Sequence, residues 1–118
     1  MMLICFGTRP EYVKIKPVLE AIRGHIDYKL LFTGQHVDLL SNINEEVTEL
    51  AIVSGPNRLD SIVESLMNTN PDIFDGVSSV LVQGDTTSVF AIALGAFYRR
   101  IKIIHLEAGL RSYNIDHP

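Results

Sequence analysis

The sequence predicts an α/β fold in which a parallel sheet is covered by helices on both faces. Short apolar runs without alternation recur along the chain, as strands buried on both sides require. Between them lie stretches with apolar residues at i, i+3, i+4 and i+7, as helices with one buried face require. Glycines stand where the apolar runs end, at Gly7, Gly34 and Gly84. Strands that alternate with helices imply right-handed crossovers and parallel pairing.

Leu3 to Phe6 is the first buried strand, closed by Gly7. Pro10 then occupies a first helical position, with Glu11 in the first turn, where the helix dipole favours an anion. Ile15, Val18, Leu19 and Ile22 form one apolar face, and Gly24 ends that helix. Pro17 falls inside it and predicts a kink or a late regular start. Tyr28 to Thr33 reads as the second strand and Leu50 to Val53 as a short third. Leu59, Ile62, Val63 and Leu66 repeat the helical spacing from a start near Asn57 or Arg58, and "NTNPD" breaks it. Ser79 to Gln83 is the fourth strand. Thr86 or Thr87 can cap the next helix, whose apolar face is read as Phe90, Ala93, Leu94 and Phe97. Ile101 to Leu106 is the fifth strand, and loop follows Gly109. The commonest doubly wound order for such a series is 3-2-1-4-5, with a switch point between strands 1 and 4.

The 118 residues suit one domain or part of a larger one. A hydrophobic share of 47% and a charged share of 20% exclude a disordered or fibrous chain. A net charge of -4, with no block of basic residues, argues against a nucleic-acid partner. The apolar runs are too short to cross a bilayer, and "MMLICFG" lacks the charged start and cleavage site of a signal peptide. Cys5, the sole cysteine, excludes an internal disulfide, suits a reducing cytoplasm and reads as a small buried hydrophobe.

Ligands of doubly wound sheets bind beyond the carboxyl ends of the strands, at the switch point. Strand 1 delivers Gly7, Thr8 and Arg9 there, strand 4 delivers Gly84, Asp85 and Thr86, and strand 5 delivers His105, Glu107 and Arg111. Charges at the ends of buried strands are costly unless paired or used. Arg9 suits a phosphate ester, because its fork donates two hydrogen bonds to phosphate oxygens beside a helix N-terminus, and Lys14 can add a point charge. A plain dinucleotide site fits poorly: there is no G-x-G-x-x-G, and strand 2 ends in Thr33-Gly34-Gln35 without an acidic residue for a ribose. Asp85 and Glu107 are candidates for proton transfer; alternatively each caps a turn or pairs with Arg9 or Arg111. His105 reads either as a site residue or as a satisfied core histidine. No histidine or cysteine spacing resembles a metal site, and there is no nucleophile elbow.

"FGTRPEYVKIKP", "TGQH", "QGDTTS" and "HLEAGLRS" together resemble the non-hydrolysing UDP-N-acetylglucosamine 2-epimerases, in family order from Gly7 to Ser112. The resemblance implies a Rossmann-like sheet that is part of the first domain of a GT-B-like two-domain fold, with residues 1–118 an incomplete N-terminal domain. The second nucleotide-binding domain is absent from this chain, and a "PEE" segment is expected after Pro118. It implies interconversion of UDP-GlcNAc and UDP-ManNAc for surface polysaccharides, by elimination of UDP to a 2-acetamidoglucal and re-addition with protonation on the opposite face. Neither a redox cofactor nor a metal is implied. Carried over by position, Asp85 and Glu107 are catalytic, and Thr8, Arg9, Lys14, His105 and Arg111 bind substrate. Gln35, His36 and Arg58 are allosteric candidates, although Val37 and Asp38 follow where relatives often carry Arg and Gln. A cytoplasmic homodimer is implied for the full-length protein, with this segment inactive alone. The alternatives are a hydrolysing 2-epimerase, a GT-B glycosyltransferase or a non-catalytic fragment.

Overall fold

The computed structural model describes residues 1–34, 37–52, 55–69 and 71–116. Strands β1 (Met2–Phe6), β2 (Tyr28–Phe32), β3 (Val47–Glu49), β4 (Ser79–Gln83) and β5 (Lys102–Leu106) alternate with helices α1 (Arg9–Ile22), α2 (Arg58–Glu64) and α3 (Thr87–Tyr98). A short 3₁₀ helix, Val37–Asn42, follows β2. A π turn over Ser65–Thr69 and a 3₁₀ turn over Pro71–Phe74 lead from α2 towards β4.

All strand pairs are parallel, in the order β3-β2-β1-β4-β5. The order and the switch point between β1 and β4 are those expected. Ile4 of the central strand pairs with Leu30 on one side and Leu81 on the other. Alternate residues of β1, β2 and β4 then feed two separate cores. Leu3, Cys5, Leu31, Val80 and Val82 pack with Ile62 and Leu66 of the α2 segment and with Ile92 and Ala96 of α3. Ile4, Phe6, Leu30, Phe32 and Leu81 pack with Ile15 and Leu19 of α1. The central strands β2, β1 and β4 are thus buried on both faces, and their apolar continuity follows. Burial pushes the Cys5 thiol well up, with the Glu11 charge adding to the effect, so Cys5 acts as a hydrophobe.

Three expectations are corrected. The third strand is Val47–Glu49, not Leu50–Val53; Leu50 instead enters the core just past the strand, its N–H donating to the Phe32 carbonyl at 2.9 Å. Val53 lies outside the described residues. As an edge strand, β3 needs burial on one side only and is built from partly exposed Val47 and exposed Thr48 and Glu49. The regular helix after β1 does not start late: α1 runs continuously through Pro17. Pro17 and Val13 are both exposed, so the Val13 carbonyl that loses its partner faces water.

The third correction concerns α3. Its buried face is Ser88, Val89, Ala91, Ile92, Gly95 and Ala96, whereas Phe90 and Phe97 are 55% and 69% exposed. The helix is apolar nearly all round, so spacing alone does not choose a side. Close approach does. A Cβ on Gly95 would lie 2.9 Å from a Leu66 methyl and 3.0 Å from the Phe74 ring, so the helix seats its smallest residues inward. We expect Ile92→Ala to cost about 2–5 kcal/mol, and Phe97→Ser to stay within about 0.5 kcal/mol. Urea unfolding of the two variants checks this; a larger loss for Phe97→Ser would restore the sequence-derived face.

Candidate active site

The carboxyl ends of β1, β4 and β5 meet at one edge of the sheet. After β1, Gly7 packs so tightly that a Cβ there would meet Ser88 Oγ at 2.7 Å and Thr33 Oγ1 at 2.9 Å. Thr8 is the N-cap of α1, its hydroxyl oxygen accepting from the Glu11 N–H at 3.4 Å. Glu11 is only 3% exposed. Its Oε1 accepts from the Gly7 N–H and the Thr8 hydroxyl, both at 3.0 Å, and its Oε2 accepts from the Thr86 hydroxyl at 3.1 Å. Arg9 is exposed at the first helical position and makes no hydrogen bond or ion pair among the described residues. It borders a groove of about 570 Å³ between α1 and the Val37–Asn42 helix, lined also by Tyr12, Val13, Lys16, Asp38, Leu39 and Asn42.

Beyond β4, Gly84 adopts φ +79°, a conformation open to glycine, and its N–H donates to the Leu106 carbonyl at 3.0 Å. Asp85 follows, exposed and without a hydrogen-bond partner among the described residues. His105 Nε2 lies 2.6 Å from the Gly84 carbonyl oxygen. His105 is therefore neither a core histidine nor free: it ties β5 to the loop that carries Asp85.

Beyond β5, Glu107 is held at φ +58°, in the left-handed region that non-glycine residues seldom adopt. Its carboxylate pairs with Lys14 Nζ at 2.6 Å and accepts from the buried Gln83 amide. The Lys14 hydrogen bond and charge, with help from Gln83, hold the Glu107 carboxyl below the ordinary carboxylate range, against a smaller opposing effect of desolvation.

Asp85, Glu107, Thr8, Arg9, Lys14 and His105 thus share one edge. Arg111 does not join them by any contact; it is exposed, and its guanidinium donates to the Leu110 carbonyl at 3.0 Å. The alternative pairing of Asp85 or Glu107 with Arg9 or Arg111 is overturned, because the salt bridges among the described residues are Lys14–Glu107 and Arg23–Glu45. Gln35 and His36 lie outside the described residues, and Arg58 opens α2 with its side chain also outside them. Among the described residues, no three or more His, Cys, Asp or Glu side chains gather as metal ligands would. Sequence reasoning missed the roles of Glu11, Gln83 and Thr86. The T-x-x-E spacing of a capping box was a usable signal for Glu11, and the lone polar residue ending "SVLVQ" was one for Gln83.

A family model described as UDP-N-acetylglucosamine 2-epimerase matches residues 20–118. The chain belongs to that family. It is similar to the UDP-N-acetylglucosamine 2-epimerases of Neisseria meningitidis serogroup A and Bacillus subtilis, each 36% identical over 99% of this chain. It superimposes on the crystal structure of the Neisseria meningitidis enzyme bound to UDP-GlcNAc with a TM-score of 0.85, covering 99% of this chain and 34% of that one. On the Methanocaldococcus jannaschii UDP-GlcNAc 2-epimerase the TM-score is 0.84 at 31% identity, covering 100% and 34%. The chain therefore spans about a third of the length of these relatives. Its five-stranded parallel sheet is a Rossmann-like part of a GT-B-like fold.

The Lys14–Glu107 pair has a titration signature. A carboxyl whose folded value is depressed adds stability above its ordinary value of 4.5 and loses it as pH falls through the lowered folded value. Both side chains are largely solvated, at 53% and 39% exposure, so the stability effect is small and the titration itself is the better readout. We expect the Glu107 midpoint, followed by carboxyl carbon NMR, to rise in Lys14→Met. Superimposable titrations would show that Lys14 does not set the charge of Glu107.

Proposed function

We propose that this chain supplies one wall of a UDP-N-acetylglucosamine 2-epimerase active site, with residues 1–118 as an incomplete part of the N-terminal Rossmann-like domain of a two-domain enzyme. The observation that carries the reading is the gathering of Arg9, Asp85 and the Lys14–Glu107 pair at the switch point of a sheet that belongs to this family. The relative bound to UDP-GlcNAc, which matches over 99% of the chain, supports the substrate.

Each group then has a task. Arg9 and the N-terminus of α1 hold the diphosphate, as a guanidinium fork and a helix dipole favour. Glu107, kept ionised by Lys14, is in the form that removes a proton. The C2–H bond breaks to Glu107, the electron pair forms C1=C2, and the C1–O bond to UDP breaks. In return, UDP adds to C1 and a proton reaches C2 from the opposite face, the role assigned to Asp85. Thr8 and His105 fix the loops around the reacting carbons, and Arg111 approaches the ligand from the loop after β5. Water exclusion and the remaining binding energy come from the facing domain, because a reactive glycal has to be held with its leaving UDP. A cytoplasmic homodimer feeding surface polysaccharide synthesis fits the same reading.

In deuterated water, full-length protein given UDP-GlcNAc is expected to produce UDP-ManNAc with deuterium at C2. Glu107→Gln and Asp85→Asn should each slow this by about 10²-fold or more while UDP still binds. Near-normal turnover in both variants would sink the assignment. Arg9→Ala should weaken UDP binding by roughly 1.5–3 kcal/mol, with Arg9→Lys restoring only part; unchanged calorimetric affinity would remove Arg9 from the diphosphate site.

A further inference from the structure

Glu11 is the most buried acidic side chain at this edge, and the proposed chemistry does not use it. Its spacing from Thr8 is that of a capping box, in which the glutamate returns to the N-cap backbone. Here the box is altered. Oε1 takes the N–H of Gly7, one residue before the cap, together with the Thr8 hydroxyl. Oε2 is left to reach 75 residues along the chain to the Thr86 hydroxyl. Thr86 is itself the N-cap of α3, yet its side chain makes no capping bond to its own helix. A threonine at an N-cap ordinarily satisfies its own first-turn N–H groups. The hydroxyl is given instead to Glu11.

From these bonds we infer that Glu11 is a positioning residue, a carboxylate strut that fixes the β1–α1 loop against the β4–α3 loop across the switch point. The groups it holds are the immediate neighbours of the proposed site residues: Thr8 precedes Arg9, and Thr86 follows Asp85. One side chain thereby sets the distance between the residue that grips the diphosphate and the carboxylate that delivers a proton. The strut works by shape. A carboxamide can reproduce it, with its oxygen accepting from Gly7 and Thr8 and its NH₂ donating to the Thr86 oxygen. An alanine cannot.

This inference rests on the epimerase reading for its catalytic consequence, but the coupling of the loops is measurable without catalysis. In the full-length protein, Thr86→Val removes only the crossing bond. We expect it to lower kcat about 10²-fold, the scale for a small misplacement of a reacting group, with KM changed by less than about threefold. Glu11→Ala should lose at least as much, Glu11→Gln should recover most of that loss, and Glu11→Ala with Thr86→Val should be no worse than Glu11→Ala alone. Amide NMR of the ligand-free protein should show Gly84 to Thr87 shifting in Glu11→Ala and Gly7 keeping its shift in Thr86→Val. Glu11→Gln as slow as Glu11→Ala at unchanged thermal stability would make the charge itself operative and overturn the strut. So would wild-type kcat in Thr86→Val, or unchanged Gly84 to Thr87 amides in Glu11→Ala. If the wild type makes no UDP-ManNAc, the epimerase reading fails, and the amide shifts alone decide the strut.

Discussion

Burial of β1 on both faces is the constraint from which the rest follows. Leu3 and Ile4 are fully inaccessible, and they point into different cores. No charge can be placed along such a strand without a partner. The chain therefore stays apolar from Leu3 to Phe6, and polar chemistry starts only past the carboxyl end. The tightness continues into the loop: a Cβ on Gly34 would fall 2.1 Å from the Gly7 carbonyl oxygen, so the ends of β1 and β2 close on each other. Beyond the strand ends the charged residues stand exposed, Asp85 and Glu107 after β4 and β5 and Arg9 beside the groove to the Val37–Asn42 helix.

The same constraint explains how a buried carboxylate is tolerated. Glu11 sits where α1 begins, and the free N–H groups and dipole of a helix start favour a negative charge. It also receives three hydrogen bonds, which replace the water it gives up. Glu11 is satisfied by hydroxyls and a backbone N–H, with no salt bridge among the described residues, so Arg9 is left unpaired among them and Lys14 pairs with Glu107 instead.

The fold was legible because burial on two faces leaves a sequence mark that burial on one face does not. Strands β1, β2 and β4 are built on continuous apolar runs, β5 carries Ile103 and Ile104 between Lys102 and His105, and the strand order followed from chirality and topology rules. The edge strand β3 carries Thr48 and Glu49 and left no such mark, so the nearby apolar Leu50 drew the reading away. The face of α3 was misread for the opposite reason: with Phe90, Leu94 and Phe97 apolar as well as Val89 and Ile92, periodicity had no contrast to report, and the close contacts of Gly95 decided the matter. At the site, residues placed by topology were legible, as Arg9, Asp85 and Glu107 each follow a strand end. Partnerships were not. Lys14 and Glu107 are 93 residues apart, and Glu11 and Thr86 are 75 apart, and nothing local in the chain announces either pair.

The two proposed catalytic carboxylates are separated in character by their surroundings, not by their type. Asp85 stands in solvent without a partner among the described residues, while Glu107, in an unusual backbone conformation, is bound by a lysine and a buried amide. The depressed pKa of Glu107 therefore depends first on Lys14, with Gln83 adding to it. On the proposed epimerase reading, an anionic diphosphate beside Arg9 offers Lys14 an alternative partner one and a half turns along the same helix. To the extent that Lys14 turns to the phosphate, Glu107 loses the interaction that depresses its pKa and becomes a stronger base at the moment substrate is in place. On that reading, an exposed ion pair that contributes little to folding couples ligand binding to proton transfer, because its exposure leaves Lys14 accessible to a second partner.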